Sequence, residues 1–284
     1  MKTAAILSKP SKPELQQILP DVLRWFADNN YQVTIDKETS AYAKHDRVVP
    51  RNEIGDSHPD FALVLGGDGT LLSAARAIAP AKIPILAVNL GSLGFLTEVP
   101  LSELYQTLEQ IDGSRCPVES RSMLECCLVR QGKSIDTYFA LNDVVVNKSA
   151  IARLVGFDLF IDDSYVLEYK ADGVIVSTPT GSTAYSLAAG GPVLMPSVDA
   201  FVITPVCPHA LTHRPLVIRD SSEVQLVIKS DHEEAFLTID GQVGIPVQRD
   251  DRIFCRKAKH AVTLFRMRKT FFEVLRSKLK WGQR

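Results

Sequence analysis

Short solid runs of apolar residues alternate with helical stripes over the first third of the chain. Thr3–Ser8 reads as a strand, and Leu15, Ile18, Leu19, Val22, Leu23 and Phe26 then fall on one face of a helix. Pro13 suits that helix start, where a missing N–H costs little. Tyr31–Ile35 reads as a second strand and residues 37–58 as polar and irregular. Phe61–Leu65 is short and apolar enough for a buried strand, and Leu71–Ala79 reads as the helix it feeds. Ile83–Asn89 gives another strand, followed by Gly91, Ser92, Leu93, Gly94 and Phe95, then a helix carrying Leu101, Leu104, Tyr105, Leu108 and Ile111. Strands alternating with helices predict an α/β domain with a parallel sheet. Ligands of such sheets bind at the carboxyl ends of strands, where the 66–70 and 91–95 loops lie.

After about residue 117 the texture changes to strand-like runs at 122–130, 136–147, 152–161, 165–169 and 173–178. Val155, Phe157, Leu159 and Ile161 alternate with Gly156, Asp158, Phe160 and Asp162, and Val224, Leu226 and Ile228 repeat the period of two. Turn chemistry recurs at Gln131-Gly132, Asp162-Asp163-Ser164 and Asp240-Gly241. This half predicts a β-sandwich-like domain. A last helix, with Phe272, Leu275 and Leu279 on one face, is expected to pack back on another domain, since alone it is marginal. The expected division is 1–117, 118–265 and a returning segment 266–284.

Composition narrows the classes. The 284 residues are 45% hydrophobic and 23% charged, those of a globular protein, and a net charge of −1 removes any general case for nucleic acid. From Arg266 onward the tail holds seven Lys/Arg against Glu273 alone, which reads as a solvated helix face. Five cysteines, at 116, 126, 127, 207 and 255, show no C-x-x-C spacing, and Cys126 and Cys127 should point to opposite faces of one strand. Neither a signal peptide nor a segment of membrane-spanning length is evident, so no membrane role and a cytoplasmic location are expected.

The stretch with most chemistry is 61–72, Phe-Ala-Leu-Val-Leu-Gly-Gly-Asp-Gly-Thr-Leu-Leu. Its glycines let backbone approach a ligand closely, and the following helix N-terminus favours phosphate. Asp68 stands out, because a negative charge beside phosphates needs a role with a proton or a metal. The plainer alternative is an Asp capping the helix. A second stretch, Thr178-Pro-Thr-Gly-Ser-Thr-Ala-Tyr-Ser-Leu-Ala-Ala-Gly-Gly191-Pro192, is rich in hydroxyls and small residues that suit close contact with a polar ligand, or a loop capping a short helix at 182–189. Asn142-Asp143 could read a base edge and ribose hydroxyls, though Asn-Asp is also a common turn. Lys170-Ala-Asp172-Gly173 is ordinary by itself. No Walker-type phosphate loop occurs, Leu72 stands where a dinucleotide fingerprint needs its third glycine, and no cluster has metal-ligand spacing.

Gly66-Gly-Asp-Gly-Thr70, Asn142-Asp143 and Thr180-Gly-Ser-Thr-Ala-Tyr-Ser186, in this order and spacing, resemble the bacterial NAD kinases. The match extends to Asp240-Gly-Gln242 and to Phe271–Trp281, so it covers essentially the whole chain. The first motif alone is shared with diacylglycerol-type lipid kinases and phosphofructokinases; the combination is more specific. The resemblance implies phosphorylation of the adenosine ribose 2′-hydroxyl of NAD by ATP with a divalent metal, Mg²⁺, and Asp68 as the catalytic proton acceptor. It implies NAD contacts from Asp68, Gly69, Asn142, Asp143, Arg153, Lys170, Asp172, Thr183, Ala184, Tyr185, Ser186, Leu187, Ala188 and Gln242. Gly66, Gly67, Gly69 and Thr70 would hold phosphate oxygens, no protein metal ligand is assigned, and His209 could approach the ligand or simply occupy a turn. It also implies a homo-oligomer, dimer or tetramer. The competing readings are a lipid kinase, which should show an apolar acceptor pocket, and a non-catalytic dinucleotide sensor, which would tolerate loss of Asp68.

Overall fold

The structure, a computed structural model, describes residues 1–91, 94–148, 154–230, 235–266 and 270–280. The chain divides into two units, residues 1–120 with 260–284, and residues 121–259. Among the described residues no helix is long and apolar enough to cross a membrane.

Among the described residues the first unit is built on an eight-stranded sheet. Lys2–Ser8 pairs in parallel with Tyr31–Asp36 on one side and Phe61–Leu65 on the other, and Phe61–Leu65 pairs in parallel with Ile85–Asn89. The two last strands are buried along their whole length, which is why they read as solid apolar runs. Leu15, Leu19, Val22 and Phe26 bury one stripe of the helix Leu15–Asp28, and they share a core with Ile6, Ile35, Leu63 and Leu86. The helix expected over Leu71–Ala79 runs instead over Asp68–Ile78, with Gly67 as its N-cap. Asp68 and Gly69 therefore belong to a helix first turn, not to a loop. The region 37–58 holds a short helix Lys37–Ser40 and a 3₁₀ segment Arg51–Ser57. Both are tied down by side chains: Asp36 caps the first by accepting from the Thr39 N–H, and Arg51 reaches Asp36, the Ser8 carbonyl and the Ser73 hydroxyl.

Strand Val262–Phe265, grouped with the β-rich half from its pattern, pairs in parallel with Ile85–Asn89 in this sheet. The final helix Phe271–Leu279 belongs to the same unit, but its buried residues are Val274 and Leu275, while Phe272 is exposed. Both faces have helical spacing, and burial follows the one through 271, 274, 275 and 278, not the expected one through 272.

Among the described residues the second unit consists of two six-stranded sheets paired antiparallel throughout. One core joins them, with Val144, Val146, Val174 and Leu237 from one sheet and Phe157, Leu159, Leu226 and Cys126 from the other. Alternation holds as expected: Val155, Phe157 and Leu159 are buried, and Cys126 is buried while Cys127 is not. The apolar run 136–147 breaks into strands Lys133–Ala140 and Asp143–Lys148. That break creates the position of Asn142.

Candidate active site

In the first unit the site begins where strand Phe61–Leu65 ends. The Gly66 N–H still belongs to the ladder, donating to the Val88 carbonyl at 2.9 Å. A Cβ at Gly66 would lie 2.3 Å from the Thr70 hydroxyl oxygen, whereas a Cβ at Gly67 would meet nothing within 4 Å. Gly66 is thus required by the turn, and Gly67 leaves open space over a helix N-terminus, where N–H groups favour an anion. Thr70 is buried, its N–H donates to the Gly67 carbonyl at 2.9 Å, and its side chain lies against Gly66. It shapes the turn.

The Asp68 carboxylate is turned to the segment after strand Ile85–Asn89. Its Oδ2 accepts from the Phe95 N–H at 2.8 Å. Its Oδ1 accepts from the N–H groups of Leu96 (3.2 Å) and Thr97 (3.0 Å) and from the Thr97 hydroxyl (2.9 Å). Gly94 gives way to this carboxylate: a Cβ there would sit 1.9 Å from Asp68 Oδ1. The fully buried Thr97 hydroxyl accepts in turn from Asn89 Nδ2 at 2.8 Å, and Asn89 Oδ1 accepts from the Gly91 N–H at 2.6 Å. Position at the strand ends pointed to the 91–95 loop, but sequence reasoning missed Thr97 and Asn89 as partners of Asp68. The signal available was polar side chains bracketing a glycine-rich turn next to a buried strand.

In the second unit Asn142 and Asp143 are held from two sides. Asp240, in the turn between strands Ala235–Ile239 and Val243–Val247, accepts from three successive N–H groups. These are Leu141 at 3.2 Å, Asn142 at 2.8 Å and Asp143 at 3.2 Å. That return needs left-handed backbone at Asp240 (φ 49°) and Gly241 (φ 64°). On the other side the Asn142 carbonyl accepts from the Thr178 N–H at 2.9 Å. Gly181 packs so closely that a Cβ would lie 2.1 Å from the same oxygen. Asn142 Oδ1 is buried without a hydrogen-bond partner among the described residues, an acceptor suited to a ligand donor. Asp143 is buried, and burial, reinforced by the Asp240 charge, pushes its carboxyl up to about 7.

The hydroxyl-rich stretch is largely turned on itself. Thr178 Oγ1 donates to the Leu141 carbonyl at 2.6 Å, Ser182 Oγ to the Pro179 carbonyl at 2.6 Å, and Thr183 Oγ1 to the Thr180 carbonyl at 3.2 Å. Ser186 is fully buried, its hydroxyl paired with that of Thr204 at 2.9 Å. The expected helix 182–189 is a 3₁₀ turn Gly181–Thr183 and one turn Tyr185–Ala188, interrupted at Ala184. What this stretch offers outward is Tyr185, 41% exposed, with Ala188 exposed and Thr183, Ala184 and Leu187 partly so.

Lys170 is exposed on strand Ser164–Ala171, and its carbonyl accepts from the N–H of His209, itself an exposed turn residue. Asp172 pairs with Lys148 at 2.8 Å, a partner not read from the sequence. Gln242 is exposed, directly after the Asp240-Gly241 turn. Arg153 lies outside the described residues. Among the described residues no three His, Cys, Asp or Glu side chains converge as a metal site.

A helix N-terminus opened by glycines, with a hydrogen-bonded carboxylate in its first turn, is equipment for phosphoryl transfer, whose catalysis is chiefly positioning and charge stabilisation. Comparison with known proteins gives the particular family. Residues 4–113 match the ATP-NAD kinase N-terminal domain and residues 141–267 the ATP-NAD kinase C-terminal domain. The NAD kinase of Koribacter versatilis is 63% identical and that of Acidobacterium capsulatum 50% identical, each over the full length of both chains. Among solved structures, yeast NADH kinase complexed with NADH superposes with a TM-score of 0.90 at 27% identity, covering 100% of this chain and 89% of that one. An NAD kinase from Archaeoglobus fulgidus in complex with ATP gives 0.78 at 24% identity, covering 97% and 99%, a likeness of fold. The chain belongs to the ATP-NAD kinase family.

Proposed function

We propose that this chain transfers the γ-phosphoryl group of ATP to the 2′-hydroxyl of the adenosine ribose of NAD, yielding NADP and ADP. The observation that carries this reading is Asp68, a carboxylate fixed by four donors in the first turn of a glycine-opened helix. Asp68 accepts the proton of the attacking hydroxyl, and the backbone of Gly67 and Gly69 with the helix N-terminus holds phosphate oxygens, while Gly66, its N–H spent on the Val88 carbonyl, serves only the turn. Thr70 contributes through the shape it gives Gly66.

The dinucleotide is read by Asn142, whose buried Oδ1 is ready to accept, and by Asp143. Lys170, Asp172, the outward residues Thr183, Ala184, Tyr185, Leu187 and Ala188, and Gln242 complete its binding, with Tyr185 the aromatic surface available for stacking and Ser186 supporting the stretch from beneath. With no three metal-ligating side chains converging among the described residues, Mg²⁺ would enter with ATP and would supply charge neutralisation at its phosphates. The exposed Leu216 and Val217, on strand Leu216–Arg219 at the end of its sheet, support assembly into a dimer or tetramer. The five cysteines all stand as free thiols, which suits the reducing cytoplasm.

A coupled assay tests the reaction, with ATP, Mg²⁺ and NAD supplied and NADP detected by an NADP-specific dehydrogenase. Wild type makes NADP, and Asp68→Asn binds NAD but turns over slower by a factor on the order of 10²–10⁴. Near-normal turnover in Asp68→Asn would remove Asp68 as the base. A folded wild type that binds NAD and makes no NADP would be a sensor.

A further inference from the structure

We propose that Asn89 and Thr97 form a one-way hydrogen-bond chain that positions Asp68 and reserves its Oδ2 for the acceptor hydroxyl. The direction follows from donor counting. The Gly91 amide can only donate, so the Asn89 atom facing it at 2.6 Å is the carbonyl oxygen. The Asn89 amide nitrogen therefore faces Thr97 Oγ1, at 2.8 Å, and donates to it. A hydroxyl has one proton, and with its oxygen already accepting from Asn89, Thr97 sends that proton to Asp68 Oδ1, 2.9 Å away. Thr97 is fully buried and Asn89 nearly so, which leaves little room for water to substitute in the chain.

The consequence is an asymmetric carboxylate. Oδ1 takes three donors, from Leu96, Thr97 and the Thr97 hydroxyl, and is saturated. Among the described residues Oδ2 takes one, the Phe95 N–H, which leaves it a lone pair for a proton. Gly94 allows this packing, since any Cβ there would collide with Oδ1. Thr97 and Asn89 are positioning residues that act through Asp68.

The inference rests on the reading of Asp68 as base, and the test separates the two. Purified full-length Thr97→Val, Thr97→Ser, Asp68→Asn and the Asp68→Asn/Thr97→Val double variant are assayed for NADP formation, with NAD affinity read by calorimetry and folding by thermal melts. Thr97→Val lowers kcat about tenfold, the scale of one hydrogen bond to a charged group, with NAD affinity held within about twofold. Thr97→Ser restores kcat. In the Asp68→Asn background Thr97→Val has no further effect, because the group it acts through is gone. Should Thr97→Val not fold, Asn89→Asp replaces it: an acceptor at 89 draws the Thr97 proton away from Asp68, and kcat falls likewise. A folded Thr97→Val with wild-type kcat, a Thr97→Ser as slow as Thr97→Val, or an equal loss in the Asp68→Asn background would overturn the proposal. Normal turnover in Asp68→Asn would instead overturn the base assignment.

Discussion

Asp143 combines deep burial with a neighbouring negative charge from Asp240, and its carboxyl titrates near neutrality. Its folded value, about 7, lies above the ordinary 3.8, so the fold favours the protonated form. Stability is then full in acid and declines as pH rises through the window between those values, levelling off above about 7. The difference corresponds to at most about 4 kcal/mol. Asp143→Asn removes this titration, so urea unfolding at pH 5 and pH 8 should show the variant gaining on wild type as pH rises. A constant gap would contradict the assignment. Gly94→Ala makes a separate point: with a Cβ aimed at Asp68 Oδ1, the protein should fold but lose most NADP formation at unchanged NAD affinity. Much of the site is visible at this scale in the sequence, because glycines and a lone carboxylate in a strand-to-helix turn are unusual. The donors to Asp68 and the N–H groups that Asp240 accepts from are not, since every residue but proline has an N–H and residue type does not say where it points. The same limit explains Ser186, a hydroxyl suited to a ligand by type yet spent on Thr204.

Between Asp36 and Arg51 a buried ion pair ties together elements that pattern alone leaves unconnected. Arg51 donates through Nε to Asp36 Oδ2 at 2.7 Å and also bonds the Ser8 carbonyl and the Ser73 hydroxyl. It thus joins the ends of strands Lys2–Ser8 and Tyr31–Asp36 to the helix that carries Asp68. Burial raises the Asp36 carboxyl despite this partner, the mark of a desolvated acid that depends on its cation. Arg51→Met should destabilise the protein by about 3–5 kcal/mol in urea unfolding, while Asp36→Asn with Arg51→Met recovers part of the loss. Full additivity of the two would contradict the coupling. Strands and long helices were legible from period and burial. The 37–58 region was not, because a non-local ion pair orders it. The 136–147 run looked continuous because the break at Leu141-Asn142 is set by Asp240, 98 residues away from Asn142.

At the scale of the molecule, the chain leaves its first unit near residue 120 and returns near 260. Strand Val262–Phe265 ends that return beside Ile85–Asn89. Four alternating residues cannot announce which sheet they join, so the sequence pattern grouped them with the β-rich half that precedes them. In a chain ending at residue 259, amide exchange should accelerate in Ile85–Asn89 while the strands of 121–259 keep their protection; the reverse pattern would contradict the division. Which hydroxyl receives the phosphate is open to a direct measurement. Purified protein is given γ-labelled ATP, Mg²⁺ and either NAD or its analogue lacking the adenosine 2′-hydroxyl, and labelled products are separated. Labelled NADP is expected from NAD and no labelled dinucleotide from the analogue. Equal labelling of both, or label released only as free phosphate, would contradict transfer to the 2′-hydroxyl.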